Sequence, residues 1–287
     1  MPDPDAGGAG AAVRRTRLSR GLSLRTLAAR TGVSPATLSA VENGRTGLTV
    51  SRLHELAAVL GVPAAELLGT AVPVHPVVPV VPALPPADGT QWRAFGPLGL
   101  DPVLAAAIDA FVETGYHGAS VRDIARRAGM SVPGLYHHYP SKQDLLVTVL
   151  DLTMAELRHR VALARAEGTS APERFALVVE ALALFHTHRR ELAFIGASEM
   201  RSLAPRNRRR IADLRDDVQH VLDEEVRAAV AEGSFTTPHP HDAARAVSTM
   251  CTSLPQWFSA DGPSTPEQIA TEYARFALSL MGHRGTP

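Results

Sequence analysis

At 287 residues and 30.5 kDa, the chain is longer than one ordinary small domain. Hydrophobic residues at 45% and charged residues at 20% exclude wholesale disorder, and a single cysteine, Cys251, excludes a disulfide framework or a multi-cysteine zinc site. The formal net charge of +0 hides an asymmetry: residues 11–61 hold eight arginines against Glu42 and Glu55, while residues from 151 onward hold 16 arginines against 18 acids.

A basic head on a near-neutral body points to a polyanion partner, against the plainer reading of a solvated basic face. No apolar run long enough for a membrane span and no basic-then-apolar start occurs, which predicts a cytoplasmic protein without membrane contact. Aromatics at 5%, abundant Ala, Leu and Val, and no sustained period-two alternation predict an all-α fold.

In chain order, the first block runs over residues 11–69. Residues 22–44 read LSLRTLAARTGVSPATLSAVENG. Ser23 can cap a helix that turns Leu27 and Ala28 inward, Gly32 permits a sharp turn, and Ser34 can cap a second helix with Leu38 and Val41 inward. Helix, glycine turn, helix is a DNA-binding arrangement. The stretch resembles the Cro/phage-repressor-like (XRE) helix-turn-helix family, including the Val41–Glu42–Asn43–Gly44 close and the LHELAAVLGVPAAELL run that follows. That resemblance implies a five-helix domain whose DNA-facing residues are Arg25, Ser34, Pro35, Ala36, Thr37, Ser39, Ala40, Asn43 and Arg45. Relatives commonly carry glutamine or arginine at the positions matching Pro35, Ala36 and Ala40. None of these three can make a bidentate base contact, so the domain serves either auxiliary phosphate binding through Arg25, Asn43 and Arg45 or protein contact.

Residues 70–97 read as a proline-rich linker, with Pro73, Pro76, Pro79, Pro82 and Pro85 at every third position. That period matches polyproline II and makes a semi-rigid spacer, at about 3.1 Å per residue.

The third block, 98–145, contains LAAAIDAFVETGYHGASVRDIARRAGMSVPGLYHHYPSKQDLL over residues 104–146. Phe111 and Gly115 close a first helix, Val121, Ile124 and Ala125 form a second, Ala128–Gly129 turns, and Leu135–Tyr136–His137–His138–Tyr139 precedes Ser141–Lys142. These elements, at these spacings, resemble the TetR family of one-component regulators. The resemblance implies a DNA-binding head with Ser120, Arg122, Ser131, Val132, Pro133, Gly134, Tyr136, His137, His138 and Lys142 at the nucleic acid. Val132 suits a thymine methyl, the histidines suit base acceptors, and Tyr136 suits a phosphate. Lys142, the sole lysine of the chain, stands where relatives place a phosphate-contacting lysine.

The last block, 146–287, is then a helical ligand-binding and dimerisation body. Helices are expected at 142–166, 172–189, 206–232, 241–259 and 266–281, with the last two pairing across a two-fold axis. Candidate effector residues are Leu182, Phe185, Phe194, Ile195, Met200, Trp257 and Phe258 as walls, and Arg201 and Arg206, clustered with Arg208, Arg209 and Arg210, as an anion site; ordinary core and solvated arginines are the competing readings. The GASEMRSLAPRNRRR stretch resembles the subset of these regulators that respond to acyl-CoA thioesters, which implies an acyl-CoA effector. His186 and His188 point to different sides of one helix and cannot share a metal, and Cys251 reads as a buried thiol more readily than a redox sensor. No cofactor, metal site or catalytic set is expected. The sequence thus reads as a homodimeric, effector-responsive transcriptional regulator, a repressor, with double-stranded DNA as partner; in the alternative, the N-terminal domain serves protein interaction.

Overall fold

A computed structural model describes residues 6–62, 64–68 and 92–283, and every regular element among them is helical. Two units divide the chain: Met1–Val78 with Pro133–Ser141, and Pro79–Val132 with Lys142–Pro287.

The first unit opens with α1 (Ala6–Ser19), α2 (Leu24–Arg30), α3 (Pro35–Glu42), α4 (Val50–Leu60) and the short α5 (Ala64–Leu67). The expected capping is present: Ser23 Oγ accepts the Thr26 N–H and Ser34 Oγ accepts the Thr37 N–H, each satisfying an amide that the helix start leaves unpaired. Gly32, at φ +63, supplies the left-handed turn between α2 and α3. Val13, Leu27, Ala28, Leu38, Leu56 and Leu67 form the core. Backbone meets backbone where α1 crosses α3, since a Cβ on Gly10 would collide with the Val41 carbonyl oxygen. Below that crossing, Arg17 grips Glu42 with Nε and Nη2 at 2.6 and 2.8 Å, and its Nη1 donates to the Leu22 carbonyl at 2.9 Å. Two of the charges counted in the basic head are therefore internal structure.

In the second unit, α6 (Pro102–Gly118) is capped by Asp101, whose carboxylate accepts the Val103 and Leu104 N–H groups. It breaks at Gly115, φ +72, where the sequence predicts its end. Ser120 caps α7 (Val121–Arg127), Gly129 turns at φ +69, and next along the chain comes α8 (Val132–His138), whose residues from Pro133 onward count with the first unit. The body comprises α9 (Lys142–Glu167), α10 (Ala171–His188), α11 (Arg190–Ser198), a 3-10 turn at Met200–Ser202, α12 (Pro205–Ala231), α13 (Pro240–Thr252), α14 (Leu254–Trp257) and α15 (Pro266–Leu280). The apolar α10 runs through the middle, against α9, α12, α13 and α15. One expectation is corrected: 241–259 is not a single helix but breaks at Ser253 into α13 and α14. Pro255 lacks the N–H that a continuous helix would need and sits instead in the first turn of α14, where no donor is required.

The prolines at 73–85 lie outside the described residues, but the end of the expected linker is ordered by the body. Trp92 is 1% exposed and its indole N–H donates to Glu167 at 2.6 Å. Arg160, equally buried, pairs with Glu156 and donates to the carbonyls of Trp92 and Ala94 at 2.5 and 3.0 Å. Its guanidinium lies 3.6 Å over the Phe95 ring, which stacks on His188 at 4.3 Å. Arg189 also binds Glu156 and reaches the Gly96 carbonyl. Two cations thus share one buried carboxylate, and the carbonyls of residues 92–96 supply the polar partners that burial denies to water. Desolvation pulls the Arg160 pKa below its usual value, against the raising effect of Glu156.

Candidate functional site

The helix-turn-helix at 121–138 owes its geometry to local chemistry. Ile124, Ala125 and Leu135 are essentially unexposed, and the turn is closed by the Met130 N–H donating to the Ala125 carbonyl. Arg122, Ser131, Pro133, His137 and His138 are exposed; Val132 and Gly134 are half-buried. His137 and His138 stand edge to face at 5.6 Å, which presents two imidazoles side by side. Ser120 caps α7 through its Oγ, so that oxygen is already an acceptor for the Asp123 N–H.

Two of the expected phosphate contacts have partners within the protein. Lys142 Nζ donates to the carbonyls of Tyr116 and Ala119 at 2.6 and 2.8 Å and lies 4.3 Å over the Tyr116 ring. It thereby closes the loose C-terminal end of α6, with desolvation lowering its pKa. Tyr136 is half-buried, its hydroxyl 3.1 Å from His54 Nε2 in the same unit, and burial raises its pKa. His54 carries no motif signal in the sequence.

In the N-terminal domain, Arg25, Ser34, Pro35, Ala36, Thr37, Asn43 and Arg45 are exposed, while Ser39 and Ala40 are half-buried. Asn43 spends its Nδ2 on the Ser39 carbonyl at 2.8 Å, capping α3. Arg17 and Arg52 form ion pairs, whereas Arg14, Arg15, Arg20, Arg25, Arg30 and Arg45 are exposed and form none among the described residues. The positive charge of the head therefore resides on these six side chains.

The body holds a cavity of about 170 Å³. Leu150, Met154 and Leu157 of α9, Leu182 and Phe185 of α10, and Ile211 and Val218 of α12 give it an apolar interior. Gly196 and Ala197 of α11 and Ser248 and Thr252 of α13 complete the wall, with His186 inside and exposed Arg215, Asp216 and Arg245 at the mouth. Of the expected effector residues, Leu182 and Phe185 line this space, and Ile195 is core outside it. Phe194 and Met200 are half-buried elsewhere, Phe258 is core, and Trp257 is 54% exposed. Arg201 and Arg206 are exposed and away from the cavity lining. Their neighbours have local tasks: Arg208 donates to the Arg201 and Leu203 carbonyls, and Arg210 pairs with Asp151 at 2.6 Å. Within the arginine cluster Arg208 is thus a capping residue and Arg210 an ion-pair partner, and the polar cavity residues His186, Arg215 and Arg245 carry no motif signal in the sequence.

Cavity and head are joined through Glu199. This 6%-exposed residue follows α11, and its Oε1 accepts the Tyr116 N–H at 3.2 Å, at the Gly115 break of α6. Its Oε2 accepts from Ser202 Oγ at 2.7 Å, and Gln143 ties the same corner by bonding to the Ser202 carbonyl and the Ala204 N–H. Cys251 is fully buried, and desolvation pushes its thiol pKa up to about 12, the signature of an inert thiol. Among the described residues no helix is long and apolar enough to cross a membrane, and no group of three or more potential metal ligands converges.

A helix-turn-helix head followed by an all-helical body with an internal cavity defines a class: the ligand-binding bacterial transcription regulators. Residues 103–149 match the family described as bacterial regulatory proteins, tetR family, and residues 168–281 match the tetracyclin repressor-like C-terminal domain. The chain belongs to the TetR family, and it carries in addition a helix-turn-helix match of the XRE-like kind at residues 13–67. It is 40% identical over 86 residues to the HTH-type transcriptional activator FasR of Mycolicibacterium smegmatis, a match spanning 30% of this chain and 39% of FasR. It is 26% identical over 180 residues to the HTH-type transcriptional repressor KstR2 of the same organism, spanning 62% of this chain and 88% of KstR2. The fold also matches the crystal structure of AibR in complex with isovaleryl coenzyme A and operator DNA, with TM-score 0.57 and 24% identity, over 65% of this chain and 97% of that one.

Proposed function

We propose that this chain is a homodimeric, effector-responsive transcriptional regulator that reads an operator with the helix-turn-helix at 121–138 and releases it when a small apolar effector fills the body cavity. By that logic it is a repressor, and its place is in the cytoplasm with the DNA it reads. One observation carries the reading: α11, a wall of the cavity, ends at Glu199, which holds the backbone of the head at Tyr116. An effector that favours another setting of α11 acts on the head by its differential affinity for the two settings. Val132, His137 and His138 are the base-reading candidates, with Arg122, Tyr136 and Lys142 toward phosphates. Exposed Trp257, Phe276 and Leu280, at 54%, 48% and 50%, offer the apolar surface for a second copy. Family membership supports a binding protein and not an enzyme. The isovaleryl coenzyme A bound by AibR supports short acyl-CoA thioesters as an effector class.

The six unpaired arginines favour an auxiliary, phosphate-holding role for the N-terminal domain over pure protein contact. The test is selection of an operator from random duplexes, followed by fluorescence anisotropy with and without isovaleryl-CoA. Selection of a defined site and at least tenfold weaker binding with the thioester are expected. Unchanged affinity would remove that effector class, and a chain that selects no sequence would overturn the regulator reading.

A further inference from the structure

His186 is the imidazole of the cavity lining, 5% exposed, beside Leu182 and Phe185 and sharing the interior with the buried hydroxyl of Thr153. Its Nδ1 lies 2.6 Å from the Leu182 carbonyl oxygen. A carbonyl only accepts, so Nδ1 carries the ring proton. Burial holds the imidazole neutral, with its pKa lowered to about 4, the Leu182 bond opposing and the Arg215 cation adding to the shift. Nε2 is therefore a bare acceptor.

No protein donor meets Nε2 among the described residues. The one sealed side-chain polar atom without a partner among them is Arg190 Nε, so Nε2 keeps its access to the cavity. Of the hydroxyls that line the cavity, Thr153 donates to the Val149 carbonyl at 2.7 Å and Thr252 to the Thr249 carbonyl at 3.1 Å, and Ser248 is the third. An acceptor that faces the cavity without a protein partner favours a ligand that brings a donor over one of equal size that does not. Size is set independently. An apolar cavity of about 150 Å³ accepts benzene, and this one measures about 170 Å³. At the mouth, Arg245 makes no ion pair among the described residues, and Arg215 donates only to the Gly196 carbonyl at 3.3 Å.

We infer that the cavity selects a small apolar group of about five to eight heavy atoms that carries a hydroxyl or N–H, with His186 Nε2 as its acceptor and Arg245 receiving an anionic extension. A hydroxylated short acyl or phenolic group fits this description; a long fatty chain or a steroid does not. The inference gives chemistry to the effector site proposed above and rests on that reading only for its regulatory meaning.

Phenol and toluene have equal heavy-atom counts and differ in the donor, so they isolate the claim. Their affinities for the full chain are measured by calorimetry, alongside His186→Phe and His186→Gln. The ratio of phenol to toluene affinity should fall about tenfold in His186→Phe, the worth of one net hydrogen bond, and largely survive in His186→Gln, whose Oε1 still accepts. Histidine ¹⁵N NMR of the native protein gives a readout that no folding defect can blur: the His186 Nε2 resonance should move with phenol and stay with toluene. Tighter binding of 4-hydroxybenzoate than of phenol, lost in Arg245→Ala, is expected for the mouth. An unmoved resonance, an equal ratio in native protein and His186→Phe, or no binding of either probe at millimolar concentration would overturn the inference. Operator binding is not used here, so these failures leave the regulator reading standing. Conversely, failure of operator selection with probe selectivity intact would sink that reading alone.

Discussion

Lys142 shows how a position marked by its motif can have more to do than the motif suggests. Its place in the sequence marks a phosphate contact, whereas its ammonium holds the Tyr116 and Ala119 carbonyls and covers the Tyr116 ring. An ammonium has three hydrogens, and two are used, which leaves one for a phosphate. Lys142→Ala should therefore lower unfolding stability by about 1–2 kcal/mol, because two helix-end carbonyls lose a charged donor. Denaturant unfolding of the native protein and the variant checks this; equal midpoints and slopes would return Lys142 to a purely DNA-facing role. The same variant should reduce the salt slope of operator binding by about one if the third hydrogen meets a phosphate. Residue roles of this kind resist reading from sequence, because Tyr116 and Ala119 become neighbours of Lys142 only once α6 breaks at Gly115. His186 is a parallel case. The sequence tests it as a metal ligand and sets it aside, and only the cavity around it reveals an acceptor.

At the scale of elements, capping and turn signals were legible because their chemistry is local. Ser23 and Ser34 each cap the helix that the sequence assigns to them, Asp101 and Ser120 cap α6 and α7, and Gly32, Gly115 and Gly129 take the left-handed backbone at the expected breaks. Two features were not. The helix expected across 241–259 ignores Pro255, and the linker reading absorbs Trp92–Phe95. Trp92 and Arg93 follow the proline-rich run by a few residues, and their partners lie on α9 and α10, more than 60 residues away, where no local pattern can show them. Trp92 fills a buried site and its backbone carbonyl satisfies Arg160. Trp92→Ala should cost about 3–5 kcal/mol and admit protease to the segment at 92–96. Unchanged thermal unfolding and an unchanged cleavage pattern would show that the segment rests on the body without supporting it.

On the scale of the whole chain, the sequence conveys the all-helical class and the two kinds of helix-turn-helix, since both depend on short, strongly spaced motifs. The cavity is less legible: its walls come from five helices, and of their lining residues the sequence marks only Leu182 and Phe185, both on α10. Body helices are apolar on several sides, so no periodicity separates a wall from ordinary core. The central claim is that filling this cavity changes the grip of the head on DNA, and it can be tested without knowing the effector. Ala193 is 5% exposed and lines the cavity on α11, six residues before Glu199. Ala193→Phe would place a ring where an effector would lie. The decisive measurement is the affinity of the full-length Ala193→Phe protein for the selected operator at fixed salt, with folding and dimeric mass verified. The account predicts at least a tenfold loss, a coupling of about 1.4 kcal/mol or more. Native affinity in a folded, dimeric variant would contradict it.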